Sequence, residues 1–360
     1  MASRSPIQIS PARLAGLVAK FRGRRVAVIG DWMLDRYIWG TATRLSPEAA
    51  VPVVEFTKQT ECLGGAGNVA ANLVALGARV DSFGIIGSDE AGESLLNSMR
   101  TAKLATKGIV TDSDRPTTLK TRIIARQQQV VRVDRESQFP LDADAEWKLS
   151  RRILKAIPSL DALIISDYDK GAITDGLIDP ILAACAKREV PVFVKPKWSR
   201  LPTYRGATTI VCNSKEAGFL VASTLNDDAS VEAGGRALLA HFGCSAVVIT
   251  RGGDGLTVCE RHSSNSFHVA ATSRERPIGQ HGERRSGPGS EVYDVTGAGD
   301  TVLATLALAV AAGASMREGA TLGNSAAGVV VTKLGTATLG PNELIAAIRG
   351  ASNPARGRSK

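Results

Sequence analysis

The stretch Asp294-Val-Thr-Gly-Ala-Gly-Asp300 sets three small residues between two carboxylates, directly before an apolar run, Thr301–Ala312, that has helical length and a glycine stop at Gly313. A helix opening on Gly297-Ala298-Gly299-Asp300 presents unpaired amides and the positive end of its dipole, which together make an anion site. Asp300 repels an anion placed there, so its presence calls for a task, and accepting the proton of an attacking hydroxyl is one. An acidic N-cap on a buried helix is the plainer reading of the same residues. A second small-residue stretch, Leu63-Gly-Gly-Ala-Gly-Asn-Val-Ala70, runs into a helix that ends near Gly77. Gly65–Ala70 fits the G-x-G-x-x-[GA] dinucleotide fingerprint, and Asp81 lies at about the distance of a ribose-binding acid. Context argues against that reading. Lys58–Cys62 precedes the glycines where a core strand belongs, and Asp81 enters the next β run instead of ending it.

These stretches need elements to position them. Arg25–Gly30 is a compact apolar run with the look of a buried first strand, and Asp31 falls at its C-terminal end, where open parallel sheets bind ligands. Asp31 reads as a ligand contact or as the cap of the following turn. From Tyr37 to Phe56 the pattern changes to short β pieces around the loop Arg44–Glu48. A further β group, Thr117–Ala125 and Val130–Asp134, holds Lys120, Arg122, Arg126 and three glutamines. Together they predict a small β lobe at about 37–57 and 117–134, polar on one face. Helical signals at Ala91–Lys103, Asp142–Ala156, Asp175–Arg188 and Val231–Phe242 then alternate with β runs at Leu160–Ser166, Val190–Val194, Thr208–Val211 and Ala246–Thr250. That spacing predicts a mostly parallel sheet with helices on both faces. Four strands end in polar residues, at Ser166–Gly171, Lys195–Lys197, Cys212–Glu216 and Thr250–Gly253, and four such ends along one sheet edge point to a site.

The 360 residues are 44% hydrophobic and 22% charged, an ordinary globular balance with room for one large α/β domain or two smaller ones. No apolar run reaches the ~18–20 residues of a membrane span. The N-terminus lacks a secretory apolar core with its cleavage site. A soluble, cytoplasmic protein without membrane partners is expected. Cys62, Cys185, Cys212, Cys244 and Cys259 are scattered, with no metal or disulfide spacing. Much of the net charge of +9 lies at Arg22–Arg25, Arg274–Arg285 and Arg356–Lys360, without interleaved aromatics. Specific nucleic-acid binding is therefore not expected, and attraction of a polyanionic small substrate explains the excess more cheaply. Residues 271–290, rich in Arg, Gly, Ser and Pro, read as a mobile loop, and the tail from 351 as frayed.

Over nearly its whole length the chain resembles the ribokinase-like (PfkB) sugar kinases. Two signatures carry the resemblance: Gly64-Gly-Ala-Gly-Asn68 through Gly77 to Gly87, and Asp294–Asp300. Within that family it looks like the D-glycero-β-D-manno-heptose 7-phosphate kinases, which supply ADP-heptose for the lipopolysaccharide core. The stretches are Gly30–Tyr37, Arg44–Ala49, Lys120–Gln129, Ser166–Gly171, Glu291–Asp300 and Lys333–Thr338. The resemblance implies one ribokinase-like α/β domain over 1–350 with the β lobe as a lid. It also implies a kinase-only chain, since a nucleotidyltransferase domain fused to this kinase in many bacteria would begin about where the sequence stops. The implied reaction is ATP γ-phosphoryl transfer to the anomeric hydroxyl, with Asp300 as base and the amides of Gly297, Ala298 and Gly299 holding the developing charge. Asn213 and Glu216 would organise Mg²⁺ and phosphates through water. Thr250, Gly252 and Gly255 would line the nucleotide cleft, with Asn324 near the adenine, and Asp294 with Thr296 could carry a monovalent cation such as K⁺. Asp31, Gly65 and Asn68 would bind sugar hydroxyls. The sugar phosphate would meet Arg44, Arg122, Arg126 or Lys170, Lys170 first, although each alone could equally be a solvated ion pair. In relatives the lid often pairs subunits, which implies a homodimer. Two departures stand out: the family usually has an aspartate where this chain has Lys195, and the Arg-rich loop at 271–290 is longer than the resemblance leads one to expect.

Overall fold

The computed structural model describes residues 9–126, 128–197, 204–272, 295–333 and 335–351. Most of the Arg/Gly-rich loop expected at 271–290, Asp294 and nearly all of the tail expected to fray lie outside them. The chain starts with α1 (Pro11–Val18), capped by Ser10, and enters the buried strand β1 (Arg25–Gly30). Next come β2 (Trp32–Leu45), β3 (Pro52–Gly65), α2 (Ala66–Ala75), β4 (Arg79–Gly87), α3 (Glu90–Thr101) and β5 (Ile109–Asp112). A hairpin, β6 (Thr118–Ala125) and β7 (Gln128–Arg135), leads to α4 (Ala143–Ala156), β8 (Ala162–Ser166), α5 (Asp175–Lys187), β9 (Val192–Lys195) and β10 (Thr209–Asn213). After these run α6 (Ser214–Leu220), α7 (Asp228–Phe242), β11 (Ala246–Thr250), β12 (Leu256–Glu260) and β13 (Phe267–Val269). The chain closes with α8 (Ala298–Ala311), α9 (Met316–Val330) and α10 (Pro341–Ala351).

The main sheet is nine-stranded, in the order β13-β12-β11-β10-β9-β8-β1-β4-β5. Its pairs from β11 to β5 are parallel, and only β12 and β13 join antiparallel. Alternate residues of β1 feed two cores, as a strand buried on both faces requires. Val26 and Val28 pack with α1, α2, α8 and α9, while Ala27 and Ile29 pack with α4, α5 and α7. Helix α8 is buried from Asp300 to Ala309, so its apolar run reflects burial all round.

The order reverses between β1 and β8: the chain leaves β1 toward β4 on one side and later builds outward from β8 on the other. Open α/β sheets bind ligands at such a point, beyond the strands' C-terminal ends. There Gly30 pairs with Ser166, and Asp31 and Asp167 follow side by side.

The lid is a four-stranded sheet, β3-β2-β6-β7. It differs from the expectation in extent, because β2 begins at Trp32, directly after β1, and β3 runs unbroken to Gly65. The reading missed these halves because Trp32–Asp35 and Leu63–Gly65 are buried and show no polar alternation. Lys58–Cys62 is therefore a lid strand feeding α2, and Asp81 pairs with Arg25 at 2.7 Å, at the start of β1.

Candidate active site

A cleft of ≈ 500 Å³ opens at the reversal point, floored by the ends of β9, β10 and β11, walled by the first turns of α2 and α8, and roofed by the lid. Seven helices, α1, α3, α4, α5, α6, α7 and α9, have their first turn closed by a side chain at the N-cap. Helices α2 and α8 begin on glycines, Gly65 and Gly297, with no side-chain cap, and both line the cleft. Their dipole ends are thus turned toward whatever the cleft holds. Both glycines have positive φ, +54° and +82°. A Cβ at Gly297 would stand 2.5 Å from Asn68 Nδ2, and one at Gly65 would stand 2.5 Å from the Asp31 carbonyl oxygen. Of the three amides expected to hold charge, that of Ala298 already donates to the Val295 carbonyl at 3.2 Å.

Asp300 is 4% exposed, and a buried carboxylate needs partners. It has three. Lys195 Nζ donates to Oδ1 at 2.6 Å, Tyr168 Oη to the same oxygen at 2.8 Å, and Asn68 Nδ2 to Oδ2 at 2.9 Å. The Asn68 side chain is oriented in turn by Asn72, whose Nδ2 donates to Asn68 Oδ1 at 3.3 Å and to its backbone carbonyl at 2.9 Å, and whose Oδ1 accepts from Thr301 at 3.0 Å. The two uncapped helices are thereby locked through their amides. Asn68, expected on sugar hydroxyls, spends one amide proton on Asp300.

Lys195 ends β9 and also donates to Tyr168 Oη at 3.0 Å. Burial works against its charge, but Asp300 and Tyr168 more than offset that and hold the ammonium above the ordinary lysine range. Burial, followed by the Asp300 charge, pushes the Tyr168 phenol well up, so it stays a protonated donor.

Asp31 does not line this cleft. Its carboxylate accepts the amides of Tyr168 (2.7 Å), Lys170 (3.2 Å) and Ala172 (3.2 Å), tying down the turn after β8. Burial, and then the Asp167 charge, pushes its pKa up to about 7 against the pull of those three amides. The turn-cap reading of Asp31 is the one its contacts support.

Three of the four basic residues expected at the sugar phosphate also fall elsewhere. Lys170 pairs with Glu136 at 2.8 Å and lines, with Asp31 and Arg115, a separate cavity of ≈ 10 Å³, about one water's worth. Arg44 is exposed in the outer part of β2, opposite Val53, and Arg126 is exposed in the β6–β7 turn. Arg122 does reach the cleft, its Nη1 2.6 Å from Asp35 Oδ1 and its guanidinium 5.3 Å from the Tyr37 ring centre. Lys120, Arg132 and Asp35 join it there, and the sequence reading gave none of them a binding role. No signal along the chain marked them: Asp35 comes to stand opposite Lys120, and Tyr37 opposite Arg122, only through the pairing of β2 with β6.

In the other half of the cleft lie Thr250, Gly252, Gly255, Asn324 and Thr296. A Cβ on Gly255 would come within 2.0 Å of the Val269 carbonyl, and Asn324 Nδ2 donates to the Ala270 carbonyl at 2.8 Å. Asn213 and Glu216 form a reciprocal capping box at the start of α6, at 2.8 and 2.9 Å, and line the cleft. They are hard oxygen donors. One or two of these suffice for Mg²⁺ when phosphates and water fill the remaining positions, so the pair fits such an ion. Among the described residues no group of three or more His, Cys, Asp or Glu could hold a metal by itself. Nor is any described helix long and apolar enough to cross a membrane.

Residues 24–343 match the family model described as pfkB family carbohydrate kinase. The chain is 40% identical over 329 residues to the bifunctional protein HldE of Pelobacter propionicus, covering 91% of this chain and 64% of that protein. It is 42% identical over 321 residues to the bifunctional protein HldE of Geobacter sulfurreducens, covering 89% and 62%. The chain thus spans less than two thirds of these relatives' length. Among solved structures it superposes on Arabidopsis thaliana ribokinase complexed with ribose and ATP, with TM-score 0.69, 16% identity, and 91% of this chain and 99% of that one covered. For Escherichia coli phosphofructokinase-2 in complex with potassium the values are 0.70, 17%, 92% and 99%, a likeness of fold alone.

Proposed function

The chain belongs to the pfkB family of carbohydrate kinases, ATP-dependent enzymes with an alcohol group as acceptor, and from that premise we propose that its substrate is D-glycero-D-manno-heptose 7-phosphate. The anomeric hydroxyl takes the γ-phosphoryl group, giving the 1,7-bisphosphate used for ADP-heptose and lipopolysaccharide core synthesis. The observation that carries the reading is a buried carboxylate at the mouth of an uncapped helix, facing a lid that lines the same cleft with Lys120, Arg122 and Arg132. A sugar phosphorylated at its anomeric end must bring a phosphate already at its other end to cations, and these three, which in this structure sit on Asp134, Glu136 and Asp35, are the groups that turn to meet it.

In this reading Asp300 takes the hydroxyl proton, a role worth ~10²–10⁴-fold. Asn68 and Tyr168 hold its orientation, and the first turn of α8 faces the charge that develops on the phosphoryl oxygens. Gly65 and Asp35 flank the sugar, while Thr250, Gly252, Gly255 and Asn324 flank the nucleotide. Kinases of this fold work with ATP and a divalent metal. Here Glu216 and Asn213 would hold Mg²⁺ beside the phosphates, where it neutralises charge, and a monovalent cation beside Asp294 and Thr296 belongs to the same proposal. The lid closes over the sugar and keeps water from the phosphoryl group.

The test is ADP release with Mg-ATP across a panel of acceptors that includes the heptose phosphate, ribose, fructose 6-phosphate and adenosine. The heptose phosphate is expected to give the highest kcat/KM, and Asp300→Asn to lower it at least ~10²-fold. Preference for another acceptor would reassign the substrate within the family. A second reading, a sugar- or nucleotide-binding protein without turnover, draws on the Lys195–Asp300 pair, and the absence of ADP release with every acceptor of the panel would favour it.

A further inference from the structure

Lys120, Arg122, Arg132 and Lys195 are the cations lining the cleft among the described residues. Three of them belong to the lid. Lys195 alone rises from the main sheet, at the end of β9, on the side where α8 begins. Its Nζ lies 3.8 Å from the point a Cβ on Gly299 would occupy, so the ammonium stands over the first turn of α8 as well as on Asp300.

That position conflicts with the work of a base. A carboxylate offers about four lone-pair sites. In this structure Oδ1 carries Lys195 and Tyr168, and Oδ2 carries Asn68. An ammonium held on the carboxylate weakens it as a proton acceptor, and a phosphoryl group arriving at the same helix end needs a cation of its own. One short movement of a flexible four-carbon stem meets both needs.

We propose that Lys195 is a second catalytic cation: with nucleotide bound, its ammonium passes from Asp300 to the γ-phosphoryl oxygens, and the carboxylate it releases takes the acceptor's proton. The acceptor oxygen bonds to the γ-phosphorus as the bond from that phosphorus to the β–γ bridging oxygen breaks. The bridging oxygen keeps the electron pair and leaves on ADP, while the hydroxyl proton ends on Asp300. An aspartate at position 195 could not do this, so the lysine reverses the local charge and brings a built-in counter-ion. The inference rests on the phosphotransfer reading but not on which sugar is the acceptor.

The experiment compares the wild-type chain with Lys195→Met and Lys195→Arg. Calorimetry with Mg²⁺ measures affinity for ADP and for the non-hydrolysable triphosphate AMP-PNP. Lys195→Met is expected to weaken AMP-PNP at least ~10-fold and ADP less than ~3-fold, with Lys195→Arg close to wild type. Retained ADP binding shows that the variant is folded. With whichever acceptor supports ADP release, Lys195→Met should lower kcat ~10²–10³-fold, and Lys195→Arg should recover at least tenfold of that. Equal weakening of both nucleotides, weakening of neither, or a kcat within ~3-fold of wild type overturns the proposal. If no acceptor supports ADP release, the functional reading fails and the binding comparison still decides the role of Lys195.

Discussion

Asp300 and Asp31 are both buried carboxylates, and their partners give them opposite characters. Asp300 faces an ammonium, a phenol and an amide across tertiary contacts, so its charge is matched. Asp31 faces three backbone amides and no cation among its described partners, with Asp167 beside it. Burial wins there, and the group titrates near 7 instead of near 4. The sign of the consequence follows from proton counts: between those values the folded chain binds a proton that the unfolded chain has lost, so stability falls as pH rises. The thermal midpoint of the wild-type chain is expected to drop between about pH 4 and 7, and Asp31→Asn to flatten that part of the curve. An unchanged slope in the variant would assign the drop to other groups.

The elements that matter most to the site are the two helices left without side-chain caps. Every other helix whose start is described by a cap spends a Ser, Thr, Asp or Asn on its own first turn, whereas α2 and α8 spend glycines and face the cleft. The glycine at the start of α8 is required twice, by its φ of +82° and by the 2.5 Å that a Cβ would leave to Asn68 Nδ2. Gly297→Ala should therefore cost ~1–2 kcal/mol in backbone strain and push Asn68 off Asp300. The expected outcome is a lowered melting midpoint together with a kcat reduced at least ~10-fold. A variant that melts earlier but turns over normally would show that the Asn68 contact is dispensable.

At the scale of the whole molecule, the lid presents two different faces. Lys120, Arg122, Arg132 and Asp35 line the cleft, while the alternate residues Ile38, Ile123, Val131 and Val133 share the opposite face by register. Val131 and Val133 are 45% and 55% exposed, and Phe56 on neighbouring β3 is 66% exposed. An apolar sheet face of this kind suits burial against another copy, in line with the homodimer that the family resemblance implies. Sedimentation equilibrium is expected to show a dimer, and Val133→Glu with Phe56→Glu to shift it to monomer. A monomeric wild-type chain would remove the lid from any role in assembly.

The alternation of helices and strands after residue 90, the buried β1, the glycines at 64–68 and the Gly-Ala-Gly-Asp helix start were all legible in the sequence, because each rests on local periodicity or on backbone conformation that few residues can adopt. Within the site, the helix start itself pointed to Asp300, the family resemblance named the nucleotide-side glycines and Arg122, and all of these line the cleft. Asp31, Lys170, Arg44 and Arg126, named from charge and proximity to a strand end or a lid strand, do not line the cleft. Whether such a group faces a ligand or a backbone amide depends on strand register and on which turns the sheet brings together. Asp35 and Lys120 became neighbours only through the parallel pairing of β2 with β6, across more than eighty residues. Lys195 reached Asp300 across an even longer loop of chain, only because β9 and α8 meet at one edge of the sheet. Contacts of that kind leave no periodic trace along the chain, so only the tertiary structure could decide them.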